Sequence, residues 1–112
     1  MTKYHNKKTV INGITFDSRR EAERYVELKV LQKKGLITQL ELQPKFLLQK
    51  GFKYRGKTQS AITYKADFRY IDLETNTYVV EDVKGMVTQA FAIKKKMFLA
   101  TYGDIYDFRI VE

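Results

Sequence analysis

The sequence predicts a mixed α/β sandwich, in which helices flank a central mixed sheet and a β-hairpin precedes them. Three observations predict this class. An Asn-Gly turn lies between β-branched residues near the N-terminus, two segments have apolar residues at helical spacing, and short strand-like runs lie between and after them. The predicted order is hairpin, helix, about three antiparallel strands, helix and strand.

The N-terminal part divides into an arm and the start of one domain. Residues 1–8 are polar and basic, which predicts a flexible arm ahead of a single domain over residues 9–112. Residues 10–16 read as a hairpin, because Asn12 and Gly13 both tolerate positive φ. A helix follows, with Ser18 as its N-cap.

The first predicted helix has a capping box and an apolar face. Glu21 stands three residues after Ser18, the spacing of a capping box. Gly35 can adopt the left-handed conformation that ends a helix. The apolar face consists of Ala22, Tyr25, Val26 and Leu28.

The middle of the chain predicts strands. Residues 37–49 form one strand, which lies at an edge or is interrupted at Pro44, since proline cannot donate to a ladder. Residues 50–57 are basic and glycine-punctuated, and predict a hairpin loop. Strands follow over residues 62–72 and 78–84.

The C-terminal part predicts a helix and a closing strand. A helix over residues 88–102 presents an apolar set, and Gly103 ends it. Residues 105–111 form the last strand. The apolar set of this helix is Phe91, Ile93, Met97, Phe98 and Leu99.

Composition limits the classes of function. The 112 residues are 44% hydrophobic, contain no cysteine and have a net charge of +8. Such a large positive charge favours a polyanionic partner. The alternative is that the excess of basic residues serves solubility. Without a signal peptide or an apolar run of membrane length, we expect a cytoplasmic protein that does not bind membranes.

Three residues suggest metal-assisted chemistry. Asp82 and Lys84 are two apart on one strand and share a face, and Asp67 lies on the preceding strand. If the strands pair, the two carboxylates approach each other and would need a cation such as Mg²⁺ or Mn²⁺. On spacing alone, surface ion pairs of Asp82 with Lys84, or of Asp67 with Arg69, are equally good interpretations. Carboxylates on opposite faces would exclude the site.

The motifs that surround these residues resemble a known superfamily. The segments YKADF (64–68) and VVEDVKG (79–85) resemble the signature of the PD-(D/E)XK nucleases, with Ala66 in place of the proline. This superfamily includes restriction enzymes, Holliday-junction resolvases and TnsA-type nucleases. FDSRREAE (16–23) and LQPKF (42–46) resemble a phage and prophage family of unknown function. The resemblance spans about residues 13–102 and implies a restriction-endonuclease-like αβββαβ core.

The resemblance also implies roles. Asp67 and Asp82 would be metal ligands, with the Val83 carbonyl as a further ligand and Lys84 as the catalytic lysine. Glu81 ranks below Asp82, because it points away in a regular strand. Glu21 could complete the metal shell as well as the capping box, since helical geometry places it on the inward edge.

Several residues are candidates for DNA contact. Gln43 lies in a Gln-Pro segment shared with TnsA-type nucleases, and its alternative is a satisfied core amide. Tyr54 and Tyr64 could stack on unpaired bases, although core packing is favoured for Tyr64, and His5 is interpreted as incidental. The basic candidates are Lys94 and Lys96 on the second helix, Lys53, Arg55 and Lys57 on the basic loop, and Lys3, Lys7 and Lys8 on the arm.

The leading hypothesis is a phage-encoded, Mg²⁺-dependent DNA endonuclease that acts as a homodimer, with branched DNA such as Holliday junctions as one candidate substrate. The alternatives are a non-catalytic DNA-binding or replication-accessory protein on the same fold, and a structural phage protein. The presence of both acids and the lysine argues against a degenerate nuclease. Without a helix-turn-helix or zinc finger, structure-selective or weakly specific binding is favoured over a restriction-type site.

Overall fold

A computed structural model describes residues 7–112, which form a mixed α/β fold with two helices and several small sheets. The elements of this part of the chain are β1 (Thr9–Ile11), β2 (Ile14–Phe16), α1 (Arg19–Lys33), β3 (Ile37–Leu42), β4 (Lys45–Gln49), β5 (Phe52–Tyr54), β6 (Lys57–Gln59), β7 (Ile62–Lys65), β8 (Phe68–Asp72), β9 (Thr77–Val83), α2 (Gln89–Tyr102) and β10 (Asp107–Val111). The predicted mixed α/β class is confirmed. Neither helix of this part of the chain is long and apolar enough to span a bilayer.

The central sheet has four strands in the order β10-β9-β8-β3. β8 pairs antiparallel with both β3 and β9, whereas β10 pairs parallel with β9. Parallel neighbours need a crossover, and α2 supplies it between β9 and β10. The elements therefore run α1, β3, β8, β9, α2 and β10 around one mixed sheet.

The two helices cover opposite faces of this sheet. Val79 and Val80 are adjacent on β9 and fully buried, but they belong to different apolar clusters because side chains alternate along a strand. The α1 cluster contains Phe16, Ala22, Tyr25, Leu28, Ile37, Phe68, Tyr70 and Val79. The α2 cluster contains Phe46, Tyr64, Ala66, Val80, Phe91 and Phe98.

Both helices begin as the sequence predicts. The Ser18 hydroxyl accepts a hydrogen bond from the Glu21 backbone N–H at 3.0 Å, and Gly35 follows the end of α1 with φ of +80°. The predicted apolar faces are partly wrong, because Val26, Ile93 and Leu99 are exposed. Successive helical residues diverge by about 100°, so Val26 and Leu99 turn away from the buried residues that precede them, Tyr25 and Phe98.

Two predicted strands are each divided in the structure. Residues 37–49 split at Gln43 and Pro44 into β3 and β4, which confirms the predicted interruption at the proline. β3 is also an edge strand of the central sheet. Residues 62–72 split at Ala66 and Asp67 into β7 and β8, which the uninterrupted pattern did not predict. The Ala66 N–H donates to the Pro44 carbonyl at 3.0 Å, so both breaks lie side by side where the chain leaves one sheet for another.

The segment between the two breaks is a β-ribbon, a name kept here for residues 45–65. β4 pairs with β7, and β5 pairs with β6 beyond them. The predicted loop at residues 50–57 is instead mostly part of the β5–β6 hairpin. Its two central residues, Arg55 and Gly56, have φ of +48° and +77°, the combination that a tight two-residue hairpin turn requires.

Candidate active site

The predicted acidic residues meet where β9 ends and β8 begins. Phe68 pairs with Glu81, so Asp67 stands one step further along the ladder, beside Asp82. The Asp67 N–H donates to the Glu81 carbonyl at 3.2 Å, which extends the ladder by this step. Asp67 and Asp82 therefore share a face, as the sequence predicted they would have to for a common site.

The Asp67 and Asp82 carboxyl groups lie close enough to influence each other's ionisation. Asp67 Oδ2 also accepts a bond from the Val83 N–H at 2.7 Å, and Asp82 Oδ2 accepts one from the Tyr64 hydroxyl. Burial, followed by the contact with Asp82, raises the pKa of Asp67 to about 9. Asp67 therefore holds a proton at neutral pH in the absence of a cation.

Lys84 reaches back to this pair from the end of β9. Its Nζ lies 3.2 Å from Asp82 Oδ1 and 4.7 Å from the centroid of the Phe91 ring, at the start of α2. The Lys84 side chain is 30% exposed, whereas that of Asp82 is 1% exposed. The lysine therefore bridges a buried carboxylate and the surface, with its cation held over an aromatic face.

Glu21 joins the same cluster from the first turn of α1. Its backbone N–H donates to the Ser18 hydroxyl, whereas its carboxyl group faces Asp67 and interacts with that residue. Burial is the largest cause of a raised Glu21 pKa, and the negative charges of Asp17 and Asp82 add to it. The helix thus delivers a third acid to the site, which is 5% exposed.

Two buried carboxylate oxygens of this cluster accept no hydrogen bond: Glu21 Oε1 and Asp82 Oδ1. Lys84 is within ion-pairing distance of Asp82 Oδ1 but is not aligned to donate to it. Buried polar oxygens without a donor are rare, and a set of oxygen ligands suits Mg²⁺ or Mn²⁺. Within residues 7–112, however, no three His, Cys, Asp or Glu side chains are already arranged around one ion position.

Glu81 belongs to a separate network on the α1 face of the sheet. Arg24 binds it with two hydrogen bonds, Nε to Oε2 at 2.7 Å and Nη2 to Oε1 at 2.9 Å. The Tyr70 hydroxyl donates to Glu81 Oε1 at 2.7 Å. Glu81 is fully buried with both oxygens bonded, which is the arrangement of a structural ion pair.

A comparison with models of protein families assigns the chain to a family. The model described as "Protein of unknown function (DUF1064)" matches residues 1–112. The chain belongs to the DUF1064 family. Neither a curated protein nor a solved structure shows significant similarity to it. The family description states no function, so the geometry of the site has to supply one.

In this DUF1064 protein, the remaining predicted residues lie at different distances from the acidic cluster. The Gln43 side chain is exposed, which makes the core-amide alternative wrong, while its backbone N–H donates to the Asp67 carbonyl at 2.9 Å. Lys94 and Lys96 are exposed on α2, and Lys95 between them lies 5.9 Å from the Phe108 ring centroid.

The other basic candidates that the structure describes in this DUF1064 chain are all exposed. Lys53, Arg55 and Lys57 lie at the tip of the β-ribbon. Lys8 pairs with Asp17 at 3.1 Å. Lys7 lines a cleft of about 390 Å³ beside the end of β9, together with Ser18, Arg19, Arg20, Val83, Gly85 and Glu112. Lys3 and His5 lie outside the described residues.

Of the two surface-ion-pair interpretations, the pair of Asp67 with Arg69 is wrong, whereas Asp82 and Lys84 do form a pair. Arg69 pairs with Glu41 through its Nε at 3.1 Å and also donates to the Tyr106 hydroxyl, so it is not the partner of Asp67. Lys84 does pair with Asp82, but that carboxylate is buried rather than at the surface. The contact therefore forms part of the cluster.

Sequence reasoning missed two contributors to the site of this DUF1064 protein. Tyr64 is a core residue, as predicted, but its hydroxyl donates to Asp82. Phe91 was placed only in the apolar face of α2, yet its ring lies under the Lys84 cation. A buried tyrosine needs a partner for its hydroxyl, and that requirement is the signal that could have indicated Tyr64.

Proposed function

We propose that this DUF1064 protein is a metal-dependent DNA endonuclease that hydrolyses phosphodiester bonds. The observation that carries the proposal is the pair formed by buried Asp82 and half-buried Asp67, with Lys84 beside it and a carboxylate oxygen that accepts no hydrogen bond. Glu21 adds a third acid with the same property. An uncompensated acidic cluster beside a cation is costly for folding alone, so it favours a functional role.

The order of elements supports the same proposal. A helix, three strands, a helix and a strand around one mixed sheet is the αβββαβ order that the nuclease motifs imply. The proposal is also supported by the positions of the candidate residues, at the ends of neighbouring strands and on the first helix. One order of elements can carry many functions, so the site residues are the main support for the proposal and the shared order is secondary.

The donor set fits a hard divalent cation. Asp67 and Asp82 would hold Mg²⁺ or Mn²⁺, with Glu21 and the Val83 carbonyl as the further oxygen ligands. When bound, such an ion polarises a phosphoryl oxygen and lowers the pKa of a coordinated water. The two oxygens without donors, Glu21 Oε1 and Asp82 Oδ1, are the ones that ligand binding would satisfy.

The chain's own side chains supply the remaining steps. The Lys84 ammonium group lies at the boundary between the buried acids and the surface, where it can stabilise negative charge on the reacting phosphate. Tyr64 fixes the Asp82 carboxylate, and the Val83 N–H fixes that of Asp67, so both acids are held in place before substrate arrives. Water then adds across the P–O bond and releases a phosphate end and a hydroxyl end.

DNA is the proposed substrate because the charge of the chain favours a polyanion. The net charge is +8, and exposed lysines lie on α2, the helix that also carries Phe91. Lys94 and Lys96 would contact the phosphate backbone on that side. Selectivity for branched DNA, a homodimeric state and a phage origin belong to the proposal and have their own tests.

The decisive experiment is a cleavage assay with purified protein. Linear duplex, flap, four-way junction and single-stranded DNA are incubated with Mg²⁺, with Mn²⁺ or with EDTA. We expect cleavage of at least one duplex-containing substrate with either ion and none with EDTA. Lys84→Ala should abolish it, and Lys34→Ala, at the exposed C-cap position of α1, should not.

Failure of a monodisperse preparation to cut any of these substrates would overturn the enzyme proposal. The second candidate function is a non-catalytic DNA-binding or replication-accessory protein on the same fold. The exposed cations on α2 and the β-ribbon favour it, because they need no metal to bind a polyanion. That function predicts salt-dependent DNA binding that divalent cations and Lys84→Ala do not change.

A further inference from the structure

The β-ribbon has an unusual charge distribution. Residues 43–66, which include the whole ribbon, contain six basic residues and no acidic residue. These are Lys45, Lys50, Lys53, Arg55, Lys57 and Lys65. None of them is within ion-pairing distance of a carboxylate in the part of the chain that the structure describes. The rest of the protein therefore leaves this charge unneutralised.

The base of the ribbon places two of these cations directly opposite each other. Lys45 pairs with Lys65 across the β4–β7 ladder, and both are exposed. Directly opposed residues have Cβ atoms about 5 Å apart, so like charges there destabilise the ribbon. The repulsion would be relieved by an anion that binds across the two strands.

The tip of the ribbon presents aromatic as well as basic side chains. Phe52 is 49% and Tyr54 is 57% exposed, and the Arg55 guanidinium lies 5.2 Å from the Tyr54 ring centroid. Phe52 and Tyr54 share one face of the hairpin, whereas Lys53 lies on the other. A two-stranded ribbon fits the major groove of B-form DNA, and exposed aromatic and basic residues together are typical of nucleic-acid contact.

The ribbon is anchored at the candidate active site. Its two ends are joined by the hydrogen bond from Ala66 N–H to the Pro44 carbonyl. The next bond, from Gln43 N–H to the Asp67 carbonyl at 2.9 Å, connects the same base to the acidic cluster. A duplex that lies along the ribbon from its tip to its base would therefore pass beside Asp67.

We propose that the β-ribbon is a duplex-DNA-binding arm, whose tip enters a groove and whose cations contact the phosphate backbone beside the cleavage site. The choice of DNA as the polyanion rests on the proposed nuclease function. The ribbon gives the small domain a second contact region in addition to the α2 lysines, and so fixes the direction in which a duplex crosses the site.

The test compares two triple variants that each remove three positive charges. The ribbon variant is Lys53→Gln/Arg55→Gln/Lys57→Gln, and the control is Lys29→Gln/Lys33→Gln/Lys34→Gln at exposed positions of α1 and its C-cap. Binding to a fluorescent duplex is measured in EDTA at several salt concentrations, after circular dichroism has shown that both variants are folded. We expect the ribbon variant to bind at least about ten-fold more weakly at moderate salt. Its slope of log K against log salt should fall by about 0.9 for each phosphate that the variant no longer neutralises.

The control variant should bind within about two-fold of the unmodified protein. Equal weakening in the two variants would overturn the arm proposal, because charge alone would then explain binding. Competition by single-stranded DNA or by RNA that exceeds competition by the duplex would also overturn it.

A separate assay distinguishes failure of the arm from failure of the nuclease proposal. The unmodified protein and the α1 control are incubated with bis(p-nitrophenyl) phosphate and Mn²⁺, a phosphodiester too small to reach the ribbon. Hydrolysis together with equal DNA binding by both triple variants would reject the arm and leave the nuclease proposal standing. Ribbon-dependent DNA binding without hydrolysis of this ester or of DNA would support the arm and reject the nuclease.

Discussion

Glu81 and Asp82 are neighbours on β9, both are almost fully buried, and they point to opposite faces of the sheet. Both Glu81 oxygens are bonded, by Arg24 on α1 and by the Tyr70 hydroxyl. Asp82 instead contacts a second acid, Asp67, and keeps one oxygen without a donor. The same residue class at the same depth therefore occupies two electrostatically opposite environments.

This difference gives a criterion that distinguishes a buried carboxylate with a structural role from one with a functional role. Burying an ionised acid costs several kcal/mol unless charge and hydrogen bonds compensate it. The Arg24–Glu81 pair meets that condition within the protein. In the Asp67–Asp82 pair, Lys84 can balance one negative charge, and the second requires a proton on Asp67 or a cation supplied from outside. A buried negative charge that needs a proton or an external cation is typical of a ligand-binding site, whereas the charges of a core ion pair compensate each other.

The largest expected effect is on activity, from Asp82→Asn. This change removes a negative charge but keeps the shape, so we expect DNA cleavage to fall by at least about 100-fold. Stability should stay the same or rise, because the amide can donate to Asp67 while Tyr64 still donates to its oxygen. The measurements are Mg²⁺-dependent plasmid nicking and urea unfolding. Retained cleavage would remove Asp82 from the proposed machinery.

Glu81→Gln should give the converse result. Removing one partner of the buried ion pair leaves Arg24 with only the exposed carboxylate of Glu27 as a counter-charge, so the free energy of unfolding should fall by about 3 kcal/mol. The matched control is Glu41→Gln, because Glu41 is half-exposed and its pair with Arg69 should contribute less than about 1 kcal/mol. Urea unfolding measures both. Cleavage by folded Glu81→Gln at low temperature should persist, and its loss would undo the distinction between the two faces.

The sequence could predict this distinction only in part. Alternation along a strand separated Asp82 and Lys84 from Glu81 and Val83, because that depends on local geometry alone. The partners of Glu81 lie 57 and 11 positions away, on α1 and β8. Nothing in the spacing of Arg24 or Tyr70 indicates that they meet it, since tertiary packing decides such contacts.

The two breaks in the long predicted strands also differ, because the sequence predicted one of them and not the other. Pro44 indicated the break between β3 and β4, because it has no N–H to donate. Ala66 and Asp67 gave no such signal, because the partner of the Ala66 N–H at this break, the Pro44 carbonyl, is brought there by tertiary structure. Glu21 was indicated by its place on the inward edge of a helix, but that place does not identify Asp67 as its neighbour.

A smaller effect is expected for Glu21→Gln, which tests whether the site extends onto α1. Glu21 contacts Asp67 rather than Lys84, so its loss should reduce cleavage by about ten-fold and weaken activation by Mg²⁺. Ser18→Ala is the control, since it removes the helix cap but leaves the carboxyl group. Ser18→Ala should lower stability by about 1 kcal/mol and leave the Mg²⁺ dependence of cleavage unchanged. A Glu21→Gln protein with the unmodified Mg²⁺ dependence would restrict the site to β9 and the β7–β8 junction.

The smallest expected effect is on the pH dependence of stability. The pKa of Asp67 is raised to about 9 in the folded protein, from about 4 in an unfolded chain. Between these values the folded state binds more protons than the unfolded state, so stability is greatest at the acidic end and falls as the pH rises towards 9. The melting temperature in EDTA should therefore decrease by at least several degrees between about pH 6 and about pH 9.

Mg²⁺ competes with that proton, so adding it should reduce the decrease, and it should stabilise the protein most at the alkaline end. Asp67→Asn should abolish the part of the decrease that Mg²⁺ reverses, because the asparagine side chain does not titrate. Glu81→Gln should keep that part, since Glu81 lies on the other face with its own counter-charge. Scanning calorimetry of the three proteins across this pH range measures it. A Mg²⁺-reversible decrease in Asp67→Asn as large as in the unmodified protein would mean that another group titrates, and that Asp67 does not hold the proton that a cation displaces.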